Sequence, residues 1–142
     1  MRAAPPRLRS SAAPADRGGI VLGWLTKVTV VLAVVGIALF DAISVGSTAA
    51  TVSDQGSYAA RDASSVWDQT KDLQKTYDAA VASATEQDPQ NVLKPKGFSV
   101  DPDGTVHLVI GRQAATLVLY RWERTKKWAY VERPAEGRSV GD

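Results

Sequence analysis

The stretch IVLGWLTKVTVVLAVVGIALFDAISV, Ile20 to Val45, decides how the rest of the chain is read. It is apolar almost throughout, with an uncharged heart from Val28 to Phe40. A helix that crosses a bilayer needs roughly 20 mostly apolar residues, because each rises about 1.5 Å through about 30 Å of hydrocarbon. The stretch reaches that length only if it keeps Lys27 and Asp41. Those two are about 14 residues apart, so a helix sets them about 21 Å apart along its axis. Each then reaches its own headgroup layer, Lys27 by extending its aliphatic stem. The stretch predicts one transmembrane helix over 20–45.

Upstream, MRAAPPRLRSSAAPADRGG (1–19) is rich in Ala, Pro, Ser and Arg and has no apolar periodicity. Too little apolar surface exists to offset the entropy of ordering it, which predicts a disordered basic segment or leader. Arg2, Arg7, Arg9 and Arg17 precede the apolar stretch, against Asp16. The other flank offers Asp41, Asp54, Arg61 and Asp62 and is not basic. The positive-inside rule puts the N-terminus in the cytoplasm and the C-terminal bulk outside, at the cell membrane. A cleaved secretory signal competes for the same residues, since it too needs a basic start, an apolar core and a small-x-small cut site. Ser47-Thr48-Ala49 would be that site. The basic region is long for a signal, Asp41 interrupts the approach to the cut, and the helical pattern runs through it. The reading is therefore an anchor that is retained.

From Val45 the pattern becomes one-sided. Small or apolar residues recur at Val45, Ala49, Val52, Gly56, Ala59, Ala63, Val66, Thr70, Leu73, Tyr77, Ala80 and Ala84. Spacings of four and three alternate along the run, which is a heptad seam. Asp54, Arg61, Asp68, Lys71, Lys75 and Asp78 occupy the other faces. This predicts one amphipathic helix over 46–88, continuous with the apolar stretch, with Gly56 as its weak point. Asp88-Pro89 ends it, because the residue before proline is pushed out of the α region.

Short strands follow, over 89–133. Phe98–Val100 leads into Asp101-Pro102-Asp103-Gly104, a turn with Pro and Gly in favoured places. Val106, Leu108 and Ile110 alternate with Thr105 and His107, predicting a half-buried strand and, with Phe98–Val100, a first hairpin. TLVLYRW (116–122) and WAYVE (128–132) flank a polar Glu123–Lys127 turn, predicting a second hairpin; Ala114–Leu119 reads alternatively as a short helix. Pro134 to Asp142 reads as a flexible tail. The fold class is α+β, a long helix packed on an antiparallel sheet of 3–4 strands. A small sheet needs a cover, and the helix is the only element long enough. Leu73 and Tyr77, the largest side chains of the seam, are expected to pack on Val106, Leu108 and Ile110.

Composition bounds the chemistry. Of 142 residues none is cysteine and one, His107, is histidine; 17 basic residues face 15 acidic ones. Thiolate chemistry, disulfides and multi-histidine metal sites are excluded within one chain. No nucleophile–base pair or metal cluster stands out, so neither an enzyme nor a cofactor is expected. Asp101 and Asp103 resemble the start of a calcium loop whose other ligand positions are missing, and they read as turn residues. Ala38, Ala42, Gly46 and Ala50 form a small-residue ridge of the kind that lets helices approach closely in lipid. Lys27 and Asp41 mark the helix ends or form an ion pair between subunits. Arg112, Arg121, Arg124, Lys126, Lys127, Arg133 and Arg138 are interleaved with Tyr120, Trp122, Trp128 and Tyr130. Such a mixture suits a polyanion, but an external location argues against nucleic acid.

The order of parts resembles the TadE-like minor pilins of actinobacterial tight-adherence pilus systems. These have a short basic leader, often ending in Arg-Gly, then a membrane helix that continues outside as an amphipathic helix, then a small sheet. Asp16-Arg17-Gly18-Gly19 before Ile20 is similar to that leader. Gly104-Thr-Val-His-Leu-Val, Ala115-Thr-Leu-Val-Leu and Trp128-Ala-Tyr-Val are similar to its strand blocks. Where pilin precursors carry a glutamate at the fifth position after the cut, this chain has Trp24 or Gly23. The resemblance implies a structural role without catalysis and carries over no individual functional residue. The expectation is a single-pass membrane protein with an extracytoplasmic pilin-like head, in contact with lipid and with like subunits or itself. Its alternative is an anchored or secreted binding module for a polyanionic envelope partner.

Overall fold

The computed structural model describes residues 17–139, with side chains from residue 21 onward. The basic segment read over 1–19 lies outside these residues except for its last three, which begin the first helix; 140–142 also lie outside. The chain divides into two compact units, Met1–Gly36 and Ile37–Asp142. The described part of the first unit is helix alone. Among the described residues all the strands belong to the second.

Helix α1 runs from Arg17 to Thr70, 54 residues long. From 21 to 40 every residue is exposed except the half-buried Val28. This part of α1 is long and apolar enough to cross a membrane. Polar residues that would break a short helix are absorbed locally: the hydroxyls of Thr26 and Thr29 donate to the carbonyls of Leu22 and Leu25, each at 2.9 Å. In apolar surroundings that back-bonding satisfies the side chain.

The single helix expected over 46–88 is instead two. Lys71 adopts a left-handed φ of 50°, and α2 starts afresh at Leu73–Gln87. Asp72 caps it, accepting from the backbone N–H of Gln74 at 2.9 Å and of Lys75 at 3.2 Å. A favourable cap thus competes with helix continuation where the seam offers only Thr70 and Leu73 to hold a straight path. After the break α2 folds back along α1: Ser83 hydrogen-bonds Asp62, and Gln87 reaches the Gln55 carbonyl at 3.4 Å.

Four antiparallel strands form one sheet around β3 (Val106–Gln113). β1 (Val92–Leu93) pairs with it at Gly111 and Ile110; β2 (Ser99–Val100) pairs at His107 and Val106. A 3-10 turn at Pro95–Gly97 lies between those two short strands. β4 (Tyr130–Gly137) pairs with β3 along its full length, from Val106↔Gly137 to Gln113↔Tyr130. The first hairpin is therefore as read, and β1 adds a short strand within 89–133 that no sequence pattern marked. β4 runs on into the expected tail. Pro134 is tolerated there because β4 is an edge strand, where a missing N–H faces solvent. TLVLYRW forms no strand; 114–122 is irregular and leads into the short helix α3 (Glu123–Lys126).

The core lies between the two helices and one sheet face. Val106, Leu108 and Ile110 are buried against Val52, Ala59, Ala60 and Ala63 of α1 and Ala80 and Ala84 of α2. Tyr77 packs edge-on against Phe98, with ring centroids 5.1 Å apart. Leu73 departs from expectation: it is 54% exposed, because the helix restarts there and turns its first residue to solvent. Gly56 is a requirement of the packing. A Cβ there would lie 2.7 Å from that of Ala135 and 2.8 Å from Ile110 Cγ2. Buried Ser64 ties the far end together, donating to the Gly104 carbonyl at 2.6 Å and accepting from the Ser139 N–H at 2.9 Å.

Candidate functional site: the Asp41 clamp

Asp41 stands directly after Phe40, the end of the uncharged heart of the apolar stretch, yet it is only 3% exposed. A carboxylate cannot be buried without partners. Its partners come from the irregular loop that follows β3. The Leu117 N–H donates to Oδ1 at 2.6 Å, and the Val118 and Leu119 N–H groups donate to Oδ2 at 3.1 Å each. Three successive amides curled around one anion form a nest of the kind that binds phosphates elsewhere. One turn further along α1, the Ser44 hydroxyl donates to the Ala115 carbonyl. The loop over 115–119 is thus fastened beside residues 41–44.

Its own hydrogen bonds brace the loop. The Tyr120 N–H donates to Thr116 Oγ1 at 2.9 Å, and the Thr125 hydroxyl to the Leu119 carbonyl at 3.1 Å. Ala114 and Ala129 close its base, N–H to carbonyl at 2.7 Å. This explains why a β-rich run such as TLVLY is not a strand. Its amides are taken by Asp41 and by the turn, and β-propensity yields readily to such context.

The outer surface of the loop is apolar, aromatic and basic. Leu117 is 52% exposed, Tyr120 55%, Trp122 66% and Trp128 62%. Arg121, Arg124, Lys126 and Lys127 are exposed among them, against a single acid, Glu123. The aromatic–basic mixture noted in the sequence is therefore partly gathered here. Arg112 is not part of it: it is mostly buried and pairs with Asp88. Arg138 is elsewhere too, 3.3 Å from Asp103. Lys94 pairs with Glu132, and that hydrogen bond holds its ammonium above the usual lysine range.

The other sequence candidates are placed as follows. Lys27 is exposed, while all the bonds of Asp41 go to the loop, so Asp41 is more than a marker of a helix end. Ala38, Ala42, Gly46 and Ala50 are all exposed, and a Gly46 Cβ would meet nothing within 4 Å beyond its own stretch of helix backbone. His107 is half-buried, its Nε2 3.0 Å from Asp101 Oδ2 and its Nδ1 3.5 Å from Glu136. Asp103 accepts from the Thr105 N–H at 3.0 Å, as a turn residue does. Among the described residues no three His, Asp or Glu side chains converge as metal ligands. The clamp itself was not legible beforehand. The only signal was an acidic residue at the end of an apolar helix, which fits several roles.

No family model, no curated protein and no solved structure matches the chain. Fold and site define an α+β protein with an apolar N-terminal helix long enough to cross a membrane and a small antiparallel sheet.

Proposed function

We propose that this chain is a single-pass membrane protein with an extracytoplasmic, pilin-like head, serving as a structural subunit of a pilus or other envelope assembly. The observation that carries the reading is the double use of α1: one helix is apolar and exposed over 21–40, then supplies the buried residues Val52, Ala59, Ala60 and Ala63 to the sheet. The span is thereby joined to the head by continuous helix. The exposed ridge of Ala38, Ala42, Gly46 and Ala50 supports contact with a like helix, since small residues permit close backbone approach in lipid. The order of parts resembles the TadE-like minor pilins, in keeping with a role without catalysis. The test is fractionation of native cells after shearing. A pilus subunit is recovered in the sheared surface fraction, whereas recovery in washed membranes alone, with no change in surface fibres on gene deletion, rejects that role. The exposed basic and aromatic loop favours a second reading, a membrane-anchored module that binds a polyanionic envelope partner.

A further inference from the structure

Among the exposed surfaces, the loop on Asp41 has its position set by a specific device. Within the second unit, Ile37, Leu39 and Phe40 form the last apolar turn before Asp41, and all are exposed. Asp41 and Ser44 fix the loop beside that turn. We infer that the loop is an interfacial seat: it lies in the headgroup layer of the bilayer that α1 crosses and binds anionic lipid there. This rests on the reading of α1 as a membrane span.

The chemistry of the loop fits that layer and fits bulk water poorly. Trp and Tyr favour the boundary between hydrocarbon and water, where the ring is buried and the polar edge stays wet. Trp122, Trp128 and Tyr120 are exposed together on this one loop. Four basic residues against Glu123 leave the loop positive, and basic residues near an anionic bilayer are drawn to it. The clamp also resolves a conflict. An acid at the hydrocarbon boundary of an anionic membrane is unfavourable unless its charge is compensated. The three amides supply that compensation and, in the same contact, bring the aromatic and basic side chains to that depth.

The absence of cysteine permits a direct test on the full chain. Leu117→Cys, Val31→Cys and Tyr58→Cys each give one site for a nitroxide, read by electron paramagnetic resonance in vesicles of phosphatidylcholine and phosphatidylglycerol. Accessibility to oxygen against a soluble nickel chelate reports depth. The expected pattern is oxygen-dominated at Val31, nickel-dominated at Tyr58 and intermediate at Leu117, with Leu117 moving toward the Tyr58 value when Asp41→Asn is added. A carboxamide cannot accept from all three amides without turning a donor toward one of them. If Leu117 reads like Tyr58 while Val31 reads as lipid, the span stands and the seat is overturned. If Val31 itself reads as water, the span fails and the seat with it. An aqueous Leu117 label that becomes immobile on adding soluble polyphosphate assigns the surface to a soluble polyanion and overturns the lipid assignment. A Leu117 depth unchanged by Asp41→Asn removes Asp41 from the device.

Discussion

Gly56 shows how far one residue's role depends on what faces it. In an isolated helix, replacing it by alanine would stabilise by about 1 kcal/mol. Here the added methyl meets Ala135 and Ile110 at distances no real Cβ tolerates. Overpacking of this kind costs about 1–3 kcal/mol, so the expected sign reverses. Thermal melting of the full chain in detergent, followed by circular dichroism, should show Gly56→Ala less stable than wild type. Gly46→Ala, which meets open space, should be neutral or slightly stabilising. The acids Asp68 and Asp103 give a second prediction at this scale. Hydrogen bonds from the Ser139 hydroxyl and then Lys71 hold Asp68 below the usual carboxylate range, and the Thr105 amide and hydroxyl do so for Asp103. A carboxyl depressed in the folded state adds stability that is complete above its unfolded value of about 3.9 and lost as pH falls through the lower folded value. Denaturation midpoints taken from pH 6 down to about 2 should therefore fall less steeply in the Asp68→Asn, Asp103→Asn double variant than in wild type. Equal slopes would place the acid sensitivity elsewhere.

At the scale of elements, the break between α1 and α2 decides which side chains matter. Asp72 accepts from two amides at the start of α2, and removing such a cap costs about 0.5–2 kcal/mol. Asp72→Ala should lower stability by that amount. Lys71, left-handed without being glycine, is strained by roughly 1–2 kcal/mol, part of which Lys71→Gly should return. The same break reverses the expectation for Leu73. On one continuous helix Leu73 would cover the sheet, and its truncation would cost about 2–5 kcal/mol. Exposed at the first turn of α2, Leu73→Ala should stay within about 0.5 kcal/mol. Leu108→Ala, fully buried on β3, should cost the 2–5 kcal/mol typical of a core leucine. Urea midpoints of the two variants, measured side by side, check the contrast.

For the molecule as a whole, the predicted topology follows from the cluster Arg2, Arg7, Arg9 and Arg17 before the apolar stretch, where the other flank is not basic. A reporter active only outside the cytoplasm, fused after Asp142, should be active in cells. A silent reporter on a well-expressed fusion would invert the topology and put the Asp41 loop at the inner leaflet.

What the sequence determined by itself is what depends on local composition and period. The apolar run of Ile20–Val45, the alternation at Val106, Leu108 and Ile110 and the Pro-Asp-Gly turn each carry their signal within a few residues, and the α+β class follows from their order. The seam was legible as apolar, and the sheet as the face it covers. That its second half folds back as a separate helix was not: the alternation of four and three runs unbroken through Thr70 and Leu73, and only the left-handed turn at Lys71 and the Asp72 cap divide it. The loop over 114–122 was misread for a related reason. Its β-propensity is weak energy spread over several residues, whereas the three amides around the Asp41 carboxylate concentrate charge-assisted hydrogen bonds in one buried contact. That contact joins residues 76 to 78 apart in sequence, a separation at which no local pattern reports.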